Sequence, residues 1–181
     1  MTNWIATTIG QIAQDLQPGF AMHPGDSDDG IAHLRTNNVS PDGSLDLTTI
    51  KYVAARETDL VRYRMEKGDI LFNNTNSASL VGKTAHFNAD GTYLFSNHMT
   101  RIRVDPEVAE ARFVARFLHW SWKQGLFQEM VTQWVNQAAI NRTQLARFPI
   151  HLPALTEQRR IVEIIDKADA LRKKRAKADA R

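Results

Sequence analysis

Four polar clusters hold the residues best suited to chemistry in this chain. They are Arg35-Thr36-Asn37-Asn38; Asn73-Asn74-Thr75-Asn76-Ser77 with Lys83 downstream; Ser96-Asn97-His98 followed by Arg101 and Arg103; and Asn136-Gln137 continuing to Asn141-Arg142. An Asn or Gln side chain can make two hydrogen bonds to an adenine edge and an Arg two to a guanine edge, while Ser, Thr and Lys commonly grip phosphate. The same residues also build ordinary turns, because their side chains bond their own backbone. Any one loop therefore leaves both readings open; four of them interleaved with strands point to a surface that binds.

Groups suited to catalysis do not assemble in the same way. The run Ser77 to Thr84, SASLVGKT, imitates a phosphate-binding loop, but Ser77 stands where the first glycine belongs, and the following AHFNADGTYL alternates like strands instead of opening a helix. Pro41-Asp42 followed by TTIK resembles the start of a nuclease motif, yet Thr49 occupies the place of the second carboxylate. The six histidines lack paired metal-ligand spacing, there is no cysteine, and no nucleophile elbow or glycine-rich methyl-donor loop is present. The chain is expected to bind without catalysing, with no metal and no cofactor of its own.

The elements that must position these clusters follow from periodicity. Ile9, Ile12 and Leu16 mark a short amphipathic stretch ending at Pro18-Gly19. IAHLRTNNV, the turn SPDG and SLDLTTIKYV read as a hairpin-like pair, GDILFNN as a strand, and GKTAHF, NADG and TYLFSNHMTRIRV as further strands and turns. In the last of these, Ile102 and Val104 should face the core, with Arg101 and Arg103 facing away. Asp105-Pro106 should open a helix running to about Gln124, and LFQEMVTQWV a second helical piece beyond Gly125. NQAAINRTQLARFPIHLP reads as a loop, a helical turn and a short strand.

Composition bounds the class. At 181 residues, 43% hydrophobic and 24% charged, the chain suits one domain plus an appendage, with no apolar run long enough to cross a membrane and no secretory signal; a cytoplasmic location is expected. The net charge of +3 hides an asymmetry. Residues 167–181 carry seven Lys or Arg against Asp169 and Asp179, leaving 16 bases and 18 acids in the first 166. Any nucleic-acid footprint must then be a local face drawn from the middle of the chain.

The appendage is the last segment. Thr156 can cap a helix with Glu157 in its first turn, and Ile161, Ile164, Ile165, Ala168 and Leu171 form one stripe along it. About 26 helical residues would reach roughly 39 Å. The pattern admits a solvated terminal helix or a strut that requires a second helix.

Three stretches carry a resemblance to a known family: W-x-x-x-T-I-G-Q-I at the start, LRTNNV then GDILFNNTNSASLVGKTA in the middle, and QAAINRTQLARFPIHLPALTEQRRIVEIIDKADALRKKR at the end. Together they resemble the specificity subunits of type I restriction-modification systems over nearly the whole chain. The most specific part is the Pro-x-Leu-x-Glu-Gln-x-x-Ile-Val junction leading into the long helix. The resemblance implies an α+β fold, with a strand-rich DNA target recognition domain over residues 1–152 and a protruding spacer helix over 153–181. It implies double-stranded DNA as target, separate methyltransferase subunits that use S-adenosylmethionine, a restriction subunit, and self-association through the terminal helix. The chain would be a fragment or a half-subunit. A protein-interaction scaffold, using the helix without binding DNA, is the alternative from another class, and a small nucleotide-binding enzyme resting on VGKT is a second.

Overall fold

A computed structural model of the chain describes residues 4–21, 30–133 and 137–179. The chain enters through β1 (Ile5–Thr8), a single turn α1 (Ile9–Ile12) and β2 (Ala13–Pro18). Thr8 starts the turn with a capping box: its hydroxyl accepts from the Gln11 N–H, and the Gln11 side-chain oxygen accepts from the Thr8 N–H. Ile9, Ile12 and Leu16 are all buried, as the spacing requires, but Leu16 lies on a strand.

The middle of the chain supplies β3 (Ile31–Leu34), β4 (Lys51–Val53), α2 (Glu57–Tyr63), β5 (Ile70–Asn73), β6 (Thr75–Asn76), β7 (Thr84–His86), β8 (Tyr93–Phe95) and β9 (Met99–Val104). The main sheet has the order β2-β9-β5-β7, antiparallel throughout. A second sheet, β4-β3-β8, realises the hairpin pattern as β3 antiparallel to β4, with β8 added parallel on the other side. The turn at Ser40–Gly43 closes through Gly43 N–H to Ser40 O at 3.0 Å, with Gly43 at φ +84°.

Both faces of the main sheet are covered, because every residue of β5 is buried. Ile70, Phe72, Ile102 and Val104 face one core, shared with the later helices. Leu71 and Met99 face another, shared with Leu34, Phe87 and Phe95. Arg101 and Arg103 do point away from Ile102 and Val104, but the face they reach is packed, so Arg101 is only 6% exposed.

Two expectations for the next region differ in outcome. Residues 105–108 form a turn, closed by Val108 and Ala109 N–H to Asp105 O, and helix α3 begins later and spans Ala111–Lys123, capped by Glu110. Where the second helical piece is expected, residues 126–130 are turns and 132–133 a short strand, while 134–135 lie outside the described residues; Gly125 adopts φ +77° and Phe127 turns inward to meet Phe72 and Phe148. Then come β10 (Thr132–Gln133), β11 (Ala138–Ala139), α4 (Arg142–Ala146) and β12 (Pro149–Leu152). β12 pairs antiparallel with β1, and β10-β11-β6 form a small three-stranded sheet.

The chain finishes in α5 (Leu155–Asp179), a 25-residue helix of about 37 Å. Its first turns belong to the core: Val162 and Gln158 are fully buried. Gln158 accepts from the Glu110 N–H (2.9 Å) and donates to the carbonyls of Val108 (3.2 Å) and Pro153 (2.9 Å). Residues 174–179 are all exposed.

Candidate nucleic-acid interface

All four polar clusters reach one open cleft of about 250 Å³, lined by Thr36, Thr75, Asn76, Ser77, His98 and Gln137. Backbone pairing explains the meeting. β6 lies antiparallel to β11, with Asn76 opposite Ala138, which delivers the adjoining Gln137. The carbonyl of His98 accepts from the N–H groups of Asn74 (3.0 Å) and Thr75 (3.2 Å), which fixes His98 beside β6. Asn73, at the end of β5, donates its side-chain amide to Thr36 O at 3.1 Å and draws in the first cluster. Among the described residues the lining offers amides, hydroxyls and one imidazole and no acidic side chain. Such a surface can hydrogen-bond base edges without repelling phosphate.

The remaining members of the clusters sit elsewhere. Asn37 is exposed beside Thr36. Asn38 is buried: its oxygen accepts from Arg35 N–H, and its amide donates to the carbonyls of Asp46 and Thr49. Arg35 is half-buried. Asn74 donates to Thr100 Oγ1 at 2.9 Å. Lys83 is 6% exposed, and its ammonium donates to Val39 O at 2.5 Å; burial pushes its pKa below the usual lysine value. Gly82 delivers it there with φ +96°, in a space where a Cβ would lie 2.3 Å from the Phe127 ring. The phosphate-loop imitation is thus occupied by packing, and a strand follows it.

Arg101 serves the interior, and Arg103 lies half-buried at its edge. Arg101 bonds Arg64 O (2.7 Å) and Asp15 (2.6 Å) and lies over the Phe95 ring. Arg103 holds the buried Asp69 carboxylate through two bonds at 2.7 and 2.9 Å, and these raise its pKa further. Asn141 caps α4 by accepting from Gln144 N–H, and Arg142 beside it is exposed. Asn136 lies outside the described residues.

The stripe on α5 divides in two. Ile161 packs on the core and Ile165 and Ala168 are half-buried, whereas Ile164 (56% exposed) and Leu171 (67%) face outward. Seating on the domain depends on charges that sequence reasoning missed. Arg112 donates to Asp166 (2.9 Å), and Arg116 to both Asp166 and Asp169, the latter at 2.9 Å. A signal existed: two arginines four apart on one helix complement two aspartates three apart on the other, each pair sharing a face. His119 was also missed; its Nε2 lies 3.1 Å from Pro41 O, and burial first, then Lys123, lowers its pKa.

Comparison with known proteins agrees with this architecture. The chain is 28% identical over 171 residues, 93% of its length, to a Methanocaldococcus jannaschii protein named provisionally as the specificity subunit of type I restriction enzyme MjaX. It is 24% identical over 181 residues to the type I restriction enzyme EcoKI specificity subunit of Escherichia coli. It spans 40% and 38% of those two proteins respectively. Among solved structures, the type I restriction-modification S subunit from M. genitalium superposes with a TM-score of 0.66 at 14% identity, over 93% of this chain and 40% of that one. A chain from a study of type I R-M complex assembly and conformational transition gives 0.69 at 20% identity, over 98% and 42%. The α+β fold with its long terminal helix is therefore that of this structural group. A family model, the type I restriction modification DNA specificity domain, matches residues 36–178, and the chain belongs to that family.

Proposed function

We propose that the chain recognises one half of a split double-stranded DNA site and performs no chemistry on it, as the specificity element of a type I restriction-modification complex. The observation that carries this is the convergence of all four polar clusters on the cleft of Thr36, Thr75, Asn76, Ser77, His98 and Gln137. These residues, with the exposed Asn37, are the base-reading candidates, and Arg142 is the candidate phosphate contact. Residues 1–152 form the reading head, and 153–181 the spacer whose Ile164 and Leu171 lie against a second such helix. Methylation with S-adenosylmethionine and cleavage belong to partner methyltransferase and restriction subunits.

The test is selection of bound duplexes from a randomised library, alone and with those subunits. Enrichment of one sequence, with log affinity falling by several units per tenfold rise in salt, supports the reading. Recovery of subunits without any enriched duplex would favour the scaffold alternative.

A further inference from the structure

Residues 35–50 connect β3 to β4 and present Thr36 and Asn37, and no strand runs through them: they hold one 3-10 turn, the turn at Ser40–Gly43 and the isolated bridge of Val39 with Leu45. A segment with so few ladder bonds needs other restraints to hold one conformation. Asn38 supplies some from within the segment, bonding Arg35, Asp46 and Thr49, and three nearly buried polar side chains supply the rest from outside it. Asn73 (0% exposed) donates to Thr36 O at 3.1 Å, Lys83 (6%) to Val39 O at 2.5 Å, and the His119 Nε2 (7%) lies 3.1 Å from Pro41 O. They come from three separate places: the end of β5, the turn before β7, and α3. The acceptors are three main-chain carbonyls within one six-residue stretch, at 36, 39 and 41.

Each grip is itself packed. His119 must carry its proton on Nε2 to donate to a carbonyl. Its ring lies 5.1 Å from that of Trp122 and against Gly43, where a Cβ would come within 3.0 Å. Lys83 has no second hydrogen-bonding acceptor among the described residues, so its ammonium is aimed at Val39 alone. A buried cation held this way is unavailable to a phosphate on the surface.

We infer that Asn73, Lys83 and His119 are positioning residues that set the conformation of the Thr36–Asn37 reading segment through its carbonyls, so that Lys83 governs sequence preference without touching DNA. Because every grip is on backbone, the side chains at 36 and 37 can differ without disturbing the anchors. The inference rests on the DNA-recognition reading above.

Salt dependence separates positioning from contact. Losing a phosphate contact lowers the slope of log affinity against log salt by about 0.9 and weakens all duplexes alike. The full chain and Lys83→Met are compared on the duplex enriched by the unmutated chain and on a scrambled duplex, over a range of salt. The expected result is an approximately tenfold fall in the enriched-to-scrambled ratio, the scale of a disturbed base contact, with the slope unchanged. His119→Phe, which keeps the ring but loses the donor, should do the same, and His119→Gln, whose amide can still donate, should restore the ratio. In the DNA-free chain, amide exchange over 36–44 should quicken in Lys83→Met and His119→Phe while β5 is unaffected. A slope lower by about one with the ratio kept would make Lys83 a phosphate contact and overturn the assignment. So would an unchanged ratio, or unchanged exchange in both variants. If Lys83→Met does not fold, the His119 pair decides. A parent chain that enriches no duplex sinks the DNA reading itself, whereas a parent that enriches and variants that enrich equally well sink only this inference.

Discussion

Replacing Gln158 by Met tests how the long helix is joined to the domain. The side chain is fully buried and makes three hydrogen bonds, accepting from Glu110 N–H and donating to Val108 O and Pro153 O. Met fills similar volume, so little cavity is created and the loss is chiefly polar. A typical intramolecular hydrogen bond contributes about 1 kcal/mol net, and a buried partner left unpaired costs roughly 1–3 kcal/mol. Three lost bonds should therefore destabilise the fold by about 3 kcal/mol. For a chain of this length each kcal/mol shifts Tm by roughly 2–4 °C, so Tm should fall by about 9 °C. Denaturant titration followed by far-UV dichroism measures the first quantity, and amide exchange at Glu110 localises it. A loss under about 1 kcal/mol, with Glu110 exchange no faster, would show that the junction does not depend on this side chain.

Asp166→Asn removes the carboxylate shared by Arg112 and Arg116. These side chains are 35–42% exposed, so solvent screening limits the cost to about 1 kcal/mol, and the difference from the parent should shrink in about 1 M salt; equal differences at both salts would refute a screened network. His86 and His119 both have pKa values lowered, in each case chiefly by burial. As pH falls through the unfolded value of about 6.5, the unfolded chain takes up protons that the folded chain refuses, so stability should drop on the acid side and His119→Gln should flatten the profile; denaturation midpoints between about pH 5 and 8 that do not move would contradict this. Ile164→Asp with Leu171→Asp should leave Tm nearly unchanged, because both side chains are outward, while abolishing helix-mediated association; unaltered sedimentation of the double variant would count against the proposed spacer contact.

How much of this was legible in the sequence depended on the range of the interaction. The strand at Ile70–Asn73, the turn at Ser40–Gly43 and the terminal helix are local patterns and were readable from periodicity and turn chemistry. The convergence of Thr36, Asn76, His98 and Gln137 was legible only as composition, because the pairing of β6 with β11 joins segments more than sixty residues apart. Burial was the hardest property to see. Asn38, Asn73 and Lys83 look like surface residues by type, but each donates to backbone carbonyls that approach only in the folded chain. Arg101 misled for a related reason: alternation identified its face correctly but could not show that a second core covers it. The displaced start of α3 follows from Gln158, whose bonds to residues 108 and 110 hold that segment in a turn.

The seating of α5 makes it a cantilever. About 17 Å of helix, from Gln158 to Asp169, is fastened to the domain, and about 15 Å, from Asp169 to Asp179, overhangs it. The fastened part has two kinds of support: a dry one at Gln158 and Val162, and a wet ionic one at Asp166 and Asp169. A sideways load on the overhang is resisted at the ionic support and pivots about the dry one. Ionic strength therefore tunes how firmly the outer support holds without loosening the root.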